Sequence, residues 1–230
     1  MGELANATAH AAEAEFKSAA SDPALTYTVW LLTQLPLAAR SPQFAARLQE
    51  LGFEKDADQS LLGLVAGLTS AIDKHVEDRS DRTDLGELAR LAATESLSAI
   101  IGAGLPSLFD PSPEDLRLEL GKLASKDRFA KLARDFFARL TQKTLEYYIS
   151  RELPNHVGPG KAIVSIDQQI EFRNALERHC REASVIVEEF AGGWYSKGNY
   201  EGKITPAKAR GFTDYALTTM RAELRVRRGG

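Results

Sequence analysis

The chain has one cysteine, Cys180, in 230 residues. No internal disulfide can form, and a single thiol fits a reducing compartment. The first residues, "MGELANATAHAAEAEF", lack the basic start and apolar run of a secretory signal, so a cytoplasmic location is expected. Long hydrophobic runs are missing too. The most apolar stretch, "ALTYTVWLLTQLPLAA" from Ala24 to Ala39, carries no charge, yet it is shorter than the ~20 residues of a spanning helix and contains Pro36. Gly63 and Gly67 make a G-x-x-x-G spacing inside "LLGLVAGLTSAI". In a segment this short, that spacing reads as close helix packing, and no membrane contact is expected.

Alternation of apolar and polar residues is also scarce. "KAIVSI" is the one short stretch that reads as a strand, and one strand makes no sheet. Metal motifs are absent: His10, His75, His156 and His179 include no pair at one-turn spacing, and Cys180 adjoins His179, so the two point in different directions on a helix. "GPGK" at Gly158 to Lys161 lacks the phosphate-loop pattern, because Asn155 stands at the first glycine position and Ala162 where Ser or Thr is needed. No cofactor and no metal are expected, and no local catalytic motif is found.

What remains is helix. Asp22 with Pro23, and Ser41 with Pro42 before a stop at Gly52, read as helix starts. Asp84 with Glu87, and Ser112-Pro113-Glu114-Asp115, read as capping boxes, and Thr205-Pro206 opens the last helix. Leu61, Val65, Leu68, Ile72 and Val76 recur at three- and four-residue spacing, as do Phe129, Leu132, Phe136 and Leu140. Phe172, Leu176, His179, Ala183, Ile186 and Phe190 form a seam that reads as one long helix able to meet a partner helix. The fold expected is all-α, a bundle of about eight helices, with shorter helices in the N-terminal half and three long ones in the C-terminal half. "GAGLPSLFDPSP", Gly102 to Pro113, divides residues 1–105 from a C-terminal part, 113–230, or forms a packed turn within one continuous domain.

Charge is uneven along the chain. From Lys197 onward, eight Lys and Arg face three acids, a balance of +5, which leaves −8 for the rest of a chain whose total is −3. An acidic body with a basic end suits an acidic partner, a phosphate backbone or a second copy of the chain. Just before the last helix, "EEFAGGWYSKGNYEGKITPAKARGF", Glu188 to Phe212, reads as non-helical, with Gly192 and Gly193 ending a helix. Trp194, Tyr195 and Tyr200 are interleaved there with Lys197 and Lys203, ahead of Lys208, Arg210, Arg221, Arg225, Arg227 and Arg228. These residues either plug a corner or form a surface for protein or nucleic acid. The terminal "RVRRGG" reads as a basic helix end stopped by glycine.

"RNALERH", Arg173 to His179, resembles the R-x(4-6)-H element of HEPN ribonucleases, an all-helical family, and Asn174 after the arginine suits that family. "RELPNH", Arg151 to His156, meets the same spacing. The resemblance implies His179 as general acid or base and Arg173 as a phosphate-charge stabiliser, in a cleft shared by two subunits. Periodicity gives His179 a different place, inside the apolar seam. The functional expectation is a non-enzymatic helical interaction or accessory subunit that assembles with a partner or with itself, contacting nucleic acid if its basic end is used for that. A HEPN-like ribonuclease is the alternative.

Overall fold

The computed structural model describes residues 16–17, 19–78, 82–106, 110–156, 166–202 and 204–226, of which the side chains of residues 152–156, 166 and 226 are not described. Among the described residues there are nine α-helices, a 3-10 turn at Ala19–Ser21, and no strand. The helices are α1 (Pro23–Ala39), α2 (Phe44–Glu50), α3 (Leu61–Glu77), α4 (Asp84–Gly102), α5 (Pro113–Lys122), α6 (Lys126–His156), α7 (Ile166–Ala183), α8 (Val185–Tyr200) and α9 (Pro206–Val226). "KAIVSI" and "GPGK" lie almost wholly outside the described residues.

Helix α1 is the charge-free run, and its environment explains its composition. It packs against α2, α3, α4, α5 and α9, and Leu25, Val29, Leu31, Leu32, Leu35, Ala38 and Ala39 are all buried. A helix covered on every side has no use for a polar face. Among the described residues no helix is long and apolar enough to cross a membrane. The Gly63/Gly67 spacing has a local cause as well: a Cβ on Gly67 would lie 2.7 Å from the Phe53 ring, so the segment leading into α3 lies directly on that helix.

Several helix starts follow the sequence. The Leu25 N–H donates to Asp22 Oδ1 at 2.7 Å, and the Asp22 carboxylate also accepts from Thr83 Oγ1 at 2.5 Å. Thr83, not Asp84, is the cap of α4, accepting from the Gly86 N–H at 2.9 Å. The cap of one helix therefore holds the cap of another. Asp84 is the first residue inside the helix, where its carboxylate accepts from the Tyr147 hydroxyl, while Glu87 pairs with Arg90. Ser112 and Asp115 complete the box expected of them. The second helix starts at Phe44, two residues later than Ser41-Pro42 implies, and Ser41 Oγ accepts only from the Gln43 N–H. Gly52 has φ 88°, a left-handed stop.

The second centre is α6, which packs against α4, α7 and α8. Phe129, Leu132, Phe136 and Leu140 are all buried along it. The apolar cluster runs without interruption from Phe16 to Met220 and so includes residues on both sides of the Gly102–Pro113 connection. The long seam expected from Phe172 to Phe190 is not one helix. It breaks at Ser184, which is buried and whose Oγ donates to the Arg181 carbonyl at 2.8 Å.

The largest departure is at Gly192 and Gly193. They do not end a helix: α8 runs through both and stops at Tyr200, followed by Gly202 at φ 62°. Val187, Ala191, Tyr195 and Gly198 form the buried stripe of α8, joined by Gly192. A Cβ on Gly192 would come within 2.6 Å of the Lys126 carbonyl oxygen, and one on Gly198 within 2.8 Å of Ile204. These two glycines permit close approach to α6 and to the turn before α9. Gly193 faces open space, with nothing within 4 Å of a Cβ there.

Candidate functional site: an aromatic groove between two helices

Helices α8 and α9 form a helical hairpin, and the turn between them is tied to α1. Trp30 Nε1–H donates to the Ile204 carbonyl at 3.2 Å, and Ile204 in turn occupies the space that Gly198 leaves. On α9, Thr205 Oγ1 accepts from the Lys208 N–H at 3.3 Å, as the Thr205-Pro206 start implies. The hairpin is thus fixed at its closed end.

Along the outer side of the hairpin runs an open groove of ≈ 510 Å³, lined by Phe190, Trp194, Lys197, Gly198 and Glu201 from α8 and by Lys208, Gly211, Phe212 and Tyr215 from α9. Its floor is a chain of ring contacts. Trp194 stacks on Phe212 at 4.2 Å between centroids, Phe190 meets Phe212 edge-on at 5.7 Å, and Phe190 meets Tyr215 at 4.7 Å. Phe212 is buried, Phe190 and Trp194 are half-buried, and Tyr215 is 56% exposed. Such rings present a large, rigid apolar surface at low entropic cost. Gly211 keeps the floor open between the two walls.

The sequence-derived site residues fall in different places. Trp194 and Lys197 line the groove. Tyr195 does not reach the surface: it is fully buried, stacks on Phe129 at 3.8 Å, and donates its hydroxyl to the Thr33 carbonyl at 3.3 Å. Burial pushes its phenol well above the ordinary range. Tyr195 is a core residue because its position, four after Ala191 and three before Gly198, puts it on the stripe facing α1 and α6. Tyr200 is 94% exposed, just past the groove. Lys208 pairs with Glu201 at 3.1 Å. Arg210 reaches Ser21 at 3.4 Å on another side of α9. Arg210, Arg221 and Arg225 lie within about 60° of one another around α9, with Lys208 about 160° from Arg210. Arg221 is half-buried and its Nε has no hydrogen-bond partner among the described residues. Lys203, Arg227 and Arg228 lie outside the described residues.

On α7, Arg173 and Asn174 are exposed and His179 is half-buried. Six residues on one unbroken helix turn the chain about 240°, so Arg173 and His179 do not converge on one point within this chain. Arg151 lies over the Tyr147 ring at 4.7 Å, a cation–π contact, while the side chain of His156 lies outside the described residues. Among the described residues, no group of three or more His, Cys, Asp or Glu side chains could hold a metal ion. Cys180 is fully buried, and desolvation pushes its thiol up to about 12, which makes it an unreactive core group. Glu188 accepts from Arg134 at 2.6 Å and ties α8 to α6.

Compared with protein-family models, with curated proteins and with solved structures, the chain has no significant match in any of the three. The site is therefore read from its own geometry. Phe190, Phe212 and Tyr215 did not stand out in the sequence as a site, although Phe190/Trp194 are four residues apart and Phe212/Tyr215 three, each pair on one helix face.

Proposed function

We propose that this chain is a non-enzymatic helical interaction subunit that holds a protein partner in the groove between α8 and α9. The observation that carries this reading is the continuous aromatic floor, Trp194–Phe212–Phe190–Tyr215, left open along one side of the hairpin. Aromatic anchors in a preformed groove are the usual centre of a protein interface. The volume also falls in the range of about 300–1,000 Å³ that suits a bound ligand or side-chain cluster. Nucleic acid is less well served. Base stacking needs open ring faces beside cations, and of the three aromatics interleaved with lysine Tyr195 is buried and Trp194 is stacked on Phe212, which leaves Tyr200 as the exposed ring.

The test is native capture from the source cell at low salt, run in parallel with wild type and Tyr215→Glu. Tyr215 is mostly exposed, so the substitution leaves the core intact. A protein held in fixed proportion by wild type and lost by the variant supports the reading. Equal retention by the variant contradicts it, as does recovery of nucleic acid alone that washes off with salt.

A further inference from the structure

The groove has two unlike ends, and the difference points to the chemistry of its occupant. Because α8 and α9 are antiparallel, Phe190 and Tyr215 lie at the end away from the turn, and Lys197 and Lys208 lie toward it. Lys197 is exposed and forms no ion pair with a described residue. Among the described residues Lys208 pairs with Glu201, and both side chains of that pair are well exposed, at 42% and 38%. An exposed pair of this kind contributes little, so an incoming carboxylate can exchange with Glu201 at small cost. The charged side chains that line the groove are Lys197, Lys208 and Glu201, so its turn end carries two cations against one acid. That local excess attracts an acidic partner and disfavours a basic one.

We infer that the groove takes an acidic peptide segment of a partner protein, with an aromatic or leucine side chain on the Phe190–Tyr215 end and a carboxylate at Lys197 and Lys208. This rests on the reading that the groove is the partner site, and it adds the sign of the partner's charge and the direction in which the partner lies. The apolar anchor supplies most of the affinity, because ring surface leaves water on both sides. The carboxylate supplies orientation and a faster encounter.

The probe is a phage library of random dodecapeptides panned on the immobilised full-length chain, with Tyr215→Glu as the counter-target. The enriched peptides should carry an aromatic or leucine residue close to Asp or Glu. A synthetic peptide of the enriched sequence should lose measurable binding to Tyr215→Glu. It should bind Lys197→Glu roughly tenfold more weakly, and should weaken as salt is raised. Circular dichroism of both variants must match the wild type. Enrichment of neutral or basic peptides that still depend on Tyr215 overturns the acidic occupant and leaves the groove as partner site. No enrichment, or enrichment indifferent to Tyr215→Glu, overturns both.

Discussion

On α8 the stripe of Val187, Ala191, Tyr195 and Gly198 and the stripe of Phe190, Trp194, Lys197 and Glu201 lie only about 90° apart around the helix, yet their residues are chosen by different constraints. On the first, every position is set by something close by. Gly192, at its edge, has the Lys126 carbonyl where a side chain would be, Gly198 has Ile204, and the Tyr195 ring is enclosed between Phe129 and the Thr33 carbonyl. On the second, side chains of the same aromatic kind meet each other but leave one side uncovered. The difference teaches that aromatic content in "EEFAGGWYSKGNY" is divided between holding α8 in place and lining a surface. Adjacent residues, Trp194 and Tyr195, belong to different tasks.

The comparison breaks most visibly at Tyr195. Tyr195→Ala removes a fully buried ring and should cost about 3–5 kcal/mol, the range of large aromatic truncations in a core, measured by chemical denaturation. A loss below about 1 kcal/mol would mean that the ring is not enclosed as described. The two adjacent glycines sharpen the contrast on a smaller scale. Gly192→Ala should destabilise by about 1–3 kcal/mol, because its Cβ meets backbone that cannot swing aside. Gly193→Ala should stabilise by about 0.5–1 kcal/mol, since it adds a better helix former in open space. Equal effects of the same sign at both positions would remove the distinction between the stripes.

Much of the fold was legible because helix ends are written locally. Asp22-Pro23, Ser112 with Asp115, Thr205-Pro206 and the Gly52 stop all lie where their short-range chemistry puts them. The misreadings have tertiary causes. Asp84 gives way to Thr83, whose hydroxyl accepts from the Gly86 N–H and also donates to Asp22, 61 residues away. Helix α8 continues through Gly192-Gly193 because close packing on α6 outweighs the roughly 1 kcal/mol per glycine that local propensity sets against it. The break at Ser184 has no glycine or proline to announce it. The site was legible in part: Trp194, Lys197 and Lys208 were marked by composition, while the burial of Tyr195 depends on α6 and α1, and the partners Phe190, Phe212 and Tyr215 required knowing that α8 and α9 fold back on each other.

The groove itself is tested most directly by hydrogen exchange on the full-length chain, alone and with its captured partner bound. Binding should slow exchange in residues 190–215, on both arms of the hairpin, and leave α3 and α4 unchanged. Protection confined to α3, α4 or α7, with residues 190–215 exchanging as in the unbound chain, would contradict the assignment of this groove as the partner site.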